Sequence, residues 1–127
     1  MQPLPMICVR DVEASSRWYQ AVLGCTSGHG GPEYEQIVHD GRIVLQLHRW
    51  DTHEHPHMGR PDAGPVGNGA ILWFETGAFA AAVERVRASG CVVLEEPHVN
   101  PLANHREVWV RDPDGYVVVV ASAYGDV

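Results

Sequence analysis

The 127-residue sequence predicts an α+β domain made of two βαββ modules. The first observation is a pair of hairpin patterns, one in each half of the chain. Residues 37–47 place an Asp40-Gly41 turn between two apolar alternations, a common two-residue hairpin signal. Residues 109–120 repeat this pattern around Asp112-Pro113-Asp114-Gly115, where Pro and Gly suit their turn positions. The two hairpins therefore indicate an internal duplication.

The second observation is that an apolar strand and a helix precede each hairpin. Met6–Val9 is followed by a helical pattern over residues 11–24, in which Asp11 suits an N-cap. Residues 70–75 are followed by a second helical pattern over residues 79–90. Both patterns stop at a glycine, Gly24 or Gly90, as expected for a helix C-terminus. We expect module one over residues 1–50, a linker over 51–68 and module two over 69–127, within one domain.

Charge and composition restrict the partners. A formal net charge of −7 without a Lys/Arg cluster argues against nucleic acid and against an anionic membrane surface. No apolar run reaches the length of a membrane span. The three cysteines are an odd number and form no C-x-x-C pair, which favours free thiols in a reducing cytoplasm. We therefore expect a cytoplasmic protein whose partner is a small molecule.

The repeated module and its motifs resemble the vicinal oxygen chelate superfamily. The motifs are Trp18-Tyr19, Val22-Leu23-Gly24 and the Arg111 to Gly115 turn, and the resemblance covers essentially the whole chain. This group includes glyoxalase I, bleomycin-resistance proteins, fosfomycin-resistance enzymes and extradiol dioxygenases. The resemblance implies two modules that form a half-open, barrel-like sheet around a central cavity. It also implies a homodimer.

Enzymes of this group hold a divalent metal on four strand positions. By the resemblance, these positions correspond here to Leu4, Gln46, Ile71 and Val119. Catalytic metal sites need histidine or carboxylate ligands, whereas three of these side chains are aliphatic and the fourth is an amide. We therefore expect no metal at the usual site, and no other cofactor.

Strand alternation predicts which side chains line the cavity. Gln46 places His48 and Trp50 on its own face, and Ile71 does the same for Trp73 and Glu75. On the strand before the last turn, alternation groups His105, Glu107, Trp109 and Arg111. Apolar walls with a few polar groups are typical of a small-molecule site. The predicted ligand-binding residues are Gln46, His48, Trp50, Trp73, Glu107 and Trp109.

Several of these residues have competing interpretations. Trp73 and Trp109 could be core aromatics, His48 could be a half-buried structural histidine, and Glu107 could pair with Arg106 or Arg111 on the surface. Trp18 and Tyr19 on the first helix favour core packing. The segment His53-Glu-His-Pro-His57 could bind metal adventitiously, as short histidine tracts in linkers do. A composite metal site from His48, Glu107 and either His98 or His105 is a further alternative.

The leading hypothesis is a metal-independent protein of the bleomycin-resistance type that sequesters a small aromatic or apolar compound, with antibiotic resistance as the implied role. The alternative is a glyoxalase- or dioxygenase-like lyase, isomerase or oxygenase. In that case His48 and Glu107 would act as acid and base or as atypical metal ligands. A third possibility is a vestigial cavity in a protein that acts by association.

Overall fold

The computed structural model describes all 127 residues, which divide into two compact units, residues 1–65 and 66–127. The first unit contains β1 (Met6–Val9), α1 (Val12–Leu23), β2 (Thr26–Ser27), β3 (Tyr34–His39) and β4 (Arg42–Arg49). The second contains β5 (Ile71–Glu75), α2 (Phe79–Ser89), β6 (Val92–Asn100), β7 (His105–Arg111) and β8 (Val117–Ala121). Between them, the predicted linker has only a 3-10 turn, Pro56–Met58. No helix is long and apolar enough to cross a membrane.

Both units have the same sheet topology, which confirms the α+β class and the duplication. The strand orders are β1-β4-β3-β2 and β5-β8-β7-β6. In each sheet the first strand is parallel to the last, and the other pairs are antiparallel. Each module also has one strand more than βαββ predicts. β2 is too short to show a pattern, and β6 contains Pro97 and two register irregularities, so alternation was hidden in both.

Local signals determine the ends of the helices and the hairpin turns. Asp11 accepts a hydrogen bond from the Ala14 amide at 3.0 Å, which confirms the predicted N-cap of α1. Gly24 and Gly90 adopt the left-handed conformation that ends the two helices. At the first hairpin, Asp40 and Gly41 both have positive φ, as a type I′ turn requires.

Each unit buries one face of its sheet against its own helix. In the first unit the fully buried side chains include Tyr19 of α1, with Ile37, Leu45 and Leu47 of the sheet. In the second unit the buried helix-side residues are Val108 and Val110 of β7 and Val118 and Val120 of β8, with Phe79, Ala82 and Val86 of α2. Burying a large aliphatic or aromatic side chain contributes about 1.5–3 kcal/mol. Tyr19 is therefore a core residue, as expected, while Trp18 beside it is half-buried.

A buried glutamate organises the glycine-rich loop between β2 and β3. Glu35 is 3% exposed and accepts hydrogen bonds from the hydroxyls of Ser16 (2.8 Å) and Ser27 (2.6 Å). The amides of His29 and Gly30 donate to its other oxygen at 3.0 and 2.8 Å. Burial raises the pKa of Glu35, but these hydrogen bonds outweigh burial and lower its pKa to about 2. The loop is thus tied to α1 through an ionised carboxylate.

Candidate functional site

The candidate site is the face of the second sheet that does not pack on α2. Register places Trp73, Val119 and Trp109 side by side on β5, β8 and β7. The next row along the strands is Glu75, Ala121 and Glu107. Paired residues in neighbouring strands share a face, and so do residues two apart in one strand. We call this set of six residues, with His105, the aromatic face.

Three rings meet on the aromatic face. The indoles of Trp73 and Trp109 have centroids 6.1 Å apart and planes at 89°. The His105 ring lies 5.6 Å from Trp73. Trp73 is 45% exposed, so it is not a core aromatic, and Trp109 is half-buried. The perpendicular pair leaves indole surface on which a planar group could stack.

Glu107 is the polar centre of the aromatic face. It is 3% exposed, and its Oε2 accepts a hydrogen bond from His105 Nε2 at 2.6 Å. Trp109 Nε1 donates to Oε1 at 2.9 Å, and Asn100 Nδ2 donates to Oε2 at 3.3 Å. His98 Nε2 lies 3.2 Å from Oε1. Four side chains from two neighbouring strands therefore converge on one carboxylate.

The possible surface pairing of Glu107 with Arg106 or Arg111 is wrong. Arg106 forms an ion pair with Asp126, and Arg111 donates to the carbonyl of Gly115. The physical reason is the alternation of β7: Arg106 lies on the helix side, where its guanidinium is 5.2 Å from the Phe79 ring centroid. Glu107 points to the other side of the strand and meets residues of β6.

The electrostatics of the cluster favour a charged Glu107 and a charged His98. Burial raises the pKa of Glu107, but the hydrogen bonds from Trp109, His105 and Asn100 outweigh burial and lower it. The pKa of His98 is raised, first by its hydrogen bond to the Glu96 carbonyl and then by the charges of Glu107 and Glu95, against the effect of burial. Both ring nitrogens of His98 face acceptors, because Nδ1 lies 2.8 Å from the Glu96 oxygen.

The corresponding face of the first sheet is more polar. Its equivalent row is Met6, Gln46 and Gln36, with Cys8, His48 and Tyr34 in the next row. The Tyr34 hydroxyl donates to Gln46 Oε1, and Gln46 Nε2 donates to the Leu4 carbonyl at 2.9 Å. His48 Nδ1 lies 2.7 Å from the Arg49 carbonyl, and its ring is 5.0 Å from that of His55. Trp50, just past β4, is half-buried.

The residues at the usual metal positions do not fit a metal. Leu4 and Ile71 are exposed aliphatic side chains, and Val119 is fully buried between Trp73 and Trp109. Both ends of the Gln46 amide are engaged by protein groups. No group of three or more His, Cys, Asp or Glu side chains is arranged to hold a metal ion.

The structure brings together only some of the predicted site residues. Trp73, Glu107 and Trp109 join His98 and His105 in the second unit, whereas Gln46, His48 and Trp50 belong to the first. Asn100 was missed because β6 was not predicted. Glu75 lies on the predicted face but outside the predicted set of binding residues, although a carboxylate two residues from a strand tryptophan is a visible signal.

Comparisons with known proteins agree with this architecture. The family model described as "Glyoxalase/Bleomycin resistance protein/Dioxygenase superfamily" matches residues 3–120. No curated protein sequence matches the chain significantly. A glyoxalase/bleomycin resistance protein/dioxygenase family enzyme from Burkholderia phytofirmans PsJN is similar in structure, with a TM-score of 0.75 at 18% identity over 94% of this chain and 96% of that one.

Two further solved structures have the same fold. A protein of unknown function from Agrobacterium tumefaciens str. C58 has a TM-score of 0.76 at 20% identity, covering 97% of this chain and 94% of that one. TioX from Micromonospora sp. ML1 has a TM-score of 0.74 at 15% identity, covering 96% and 98%. Such identities show the fold alone, whereas the family model spans most of the sequence. The chain therefore belongs to the glyoxalase/bleomycin resistance protein/dioxygenase superfamily.

Proposed function

We propose that this protein binds and sequesters a small planar aromatic compound on the aromatic face, without a metal ion. The observation that carries the proposal is the exposed Trp73 indole, held at 89° to that of Trp109. Contiguous exposed apolar surface, here Trp73 with Ile71 two residues away on the same strand, is typical of a ligand-binding or interaction site. A planar ligand could stack on one indole and meet the edge of the other, as aromatic pairs prefer.

Apolar burial supplies most of the binding energy in this proposal. Each well-buried aromatic contact contributes about 1.5–3 kcal/mol. Two or three such contacts approach the roughly 8 kcal/mol of micromolar binding at the upper end of that range. The exposed side chain of Ile71, two residues from Trp73, adds to the apolar surface. Ligands with two or three fused rings fit this requirement best.

The other predicted binding residues have secondary roles in the proposal. Glu107 positions Trp109 and His105 through hydrogen bonds and does not need to contact the ligand. Gln46, His48 and Trp50 of the first unit stay proposed ligand contacts, as do the homodimer and the cytoplasmic location.

The proposal is tested by isothermal titration calorimetry with acridine as a neutral planar probe. The Trp73→Ala variant should bind acridine at least tenfold more weakly, because one stacking surface is lost. Trp18→Phe is the matched control, since Trp18 lies on α1 and packs against Tyr19. Equal binding by wild type and Trp73→Ala would contradict the proposal.

A glyoxalase- or dioxygenase-like enzyme is the second candidate, and one observation favours it. A buried carboxylate 2.6 Å from the imidazole of His105 is an arrangement that orients a histidine for acid–base work. In this candidate His48 and Glu107 act as acid and base or as atypical metal ligands. Metal analysis of protein purified without a histidine tag tests it. One divalent ion per chain, lost in His48→Ala or Glu107→Gln, would favour the enzyme over the binding protein.

A further inference from the structure

We infer that the ligand of the aromatic face is a planar aromatic cation with N–H donors, which Glu75 and His105 accept. The inference rests on the proposed function and specifies the chemistry of its ligand. Its basis is the set of polar atoms that the protein itself leaves unsatisfied beside Trp73.

Glu107 accepts hydrogen bonds from most of the donors around it. The Nε1 proton of Trp109, an amide proton of Asn100 and the Nε2 proton of His105 all point to its two oxygens. His98 approaches the same carboxylate, and its other nitrogen faces the Glu96 carbonyl. These side chains thus keep no ring or indole N–H for a ligand. Apart from the indole N–H of Trp73, which has no partner in the protein, a ligand that needs donors would find few at this end of the aromatic face.

The Nδ1 atom of His105 is a free acceptor beside Trp73. Because Nε2 faces a carboxylate, the proton of the neutral ring resides on Nε2, and Nδ1 presents a lone pair. No hydrogen bond of the protein uses Nδ1. Since no fully buried side-chain nitrogen or oxygen lacks a partner, Nδ1 must reach solvent. His105 therefore offers an acceptor from a ring that contacts Trp73.

Glu75, at the end of β5, is a second free acceptor. It is exposed, it lies on the face of Trp73, and its carboxylate takes part in no hydrogen bond or ion pair. Two residues along a strand span about 7 Å, so a ligand stacked on Trp73 can reach Glu75. A cation held there would gain from both the carboxylate and the indole ring.

The charge distribution along the aromatic face agrees with this orientation. The guanidinium of Arg111 lies beyond the opposite end, in the row of Ile71 and Val117. Glu75 lies four residues along β5 from Ile71, or about 13 Å. A single cationic group on a ligand is therefore favoured at the Glu75 end. The protein as a whole has a net charge of −7, which also favours a cation.

The test compares four acridines by calorimetry at pH 8, where ordinary imidazole rings are neutral. The probes are 9-aminoacridine (a cation with N–H donors), 10-methylacridinium (a cation without them), neutral acridine, and anionic acridine-9-carboxylate. We expect 9-aminoacridine to bind about tenfold more tightly than acridine and about threefold more tightly than 10-methylacridinium. The carboxylate should bind most weakly.

The Glu75→Gln variant should weaken 9-aminoacridine binding about threefold and leave acridine binding unchanged. Glu75 is exposed and unpaired, so this variant should fold normally. Glu84→Gln, the same change on an exposed residue of α2, is the control and should alter neither affinity. Equal binding of acridine and 9-aminoacridine, or tighter binding of the carboxylate, would overturn the inference but leave the proposed function intact. No binding of any acridine would overturn both.

Discussion

Glu107 Oε2 accepts a hydrogen bond from His105 Nε2 at 2.6 Å, between two residues of the same strand that are almost fully buried. This contact fixes the proton of His105 on Nε2 and its orientation beside Trp73. The same carboxylate holds the Trp109 indole in place. One side chain therefore sets the geometry of two of the three rings.

Removing the Glu107 carboxylate should destabilise the fold. In Glu107→Ala, the donors of His105, Trp109 and Asn100 lose their shared acceptor, and each buried donor left without a partner costs about 1–3 kcal/mol. Urea unfolding followed by tryptophan fluorescence measures the free energy of unfolding. Glu75→Gln, a neighbour on the same face but exposed, should change it by less than about 0.5 kcal/mol. If Glu107→Ala lowers the unfolding free energy by less than about 1 kcal/mol, the hydrogen bonds to Glu107 contribute little to stability.

His98 should make stability depend on pH near neutrality. Its pKa is raised in the folded state, so its contribution is fully present below the unfolded value of about 6.5. That contribution is lost as the pH rises through the folded pKa. The difference in unfolding free energy between wild type and His98→Gln should thus be larger at pH 5.5 than at pH 8.5.

The contribution of His98 to the unfolding free energy should change by less than about 1 kcal/mol between these two pH values, because His98 is partly exposed. The groups that face it are the carboxylates of Glu95 and Glu107 and the Glu96 carbonyl. His57→Gln, in the exposed 3-10 turn, provides the comparison. If the stability difference between wild type and His98→Gln is the same at both pH values, or larger at pH 8.5, the raised pKa of His98 would be contradicted.

Glu35 should contribute to acid sensitivity. Its pKa is about 2 in the folded protein, against an ordinary value of 4.5, so the stability it provides is present above pH 4.5 and is lost as the pH falls toward 2. At pH 7, Glu35→Gln should lower the unfolding free energy by about 2–3 kcal/mol, because charged hydrogen bonds from Ser16 and Ser27 weaken.

Between pH 4.5 and 2 the gap between wild type and Glu35→Gln should narrow. Unfolding curves at several pH values measure it, with Glu84→Gln again as an exposed control. A gap that is independent of pH would mean that Glu35 is not the ionised group that holds the loop.

The parts of the fold that could be predicted from the sequence depend on short-range signals. Asp11 caps α1, the helices end at Gly24 and Gly90, and Asp40-Gly41 forms its turn, because each needs only residues within four positions. Strand β6 could not be predicted in the same way. β6 pairs with β7 in spite of Pro97 and two register irregularities, so its sequence lacks the regular alternation from which a strand is predicted.

The candidate site was predictable only in part. Alternation grouped Glu107 with Trp109 on one strand, because side chains on a strand alternate whatever the partner strand is. Trp73 joined them only through the resemblance, which put Ile71 and therefore Trp73 on the cavity side. The contacts of Glu107 with His98 and Asn100 were not predictable, since these two residues come from a strand that the sequence did not reveal.

The sequence by itself determined the duplicated α+β architecture and the aliphatic or amide character of the usual metal positions, because both are properties of residue order and type. Only the tertiary structure decided that Glu107 is enclosed by donors while Glu75 stays unpaired. The reason is that hydrogen-bond satisfaction depends on strand register, which sets distances of a few ångströms between residues far apart in sequence.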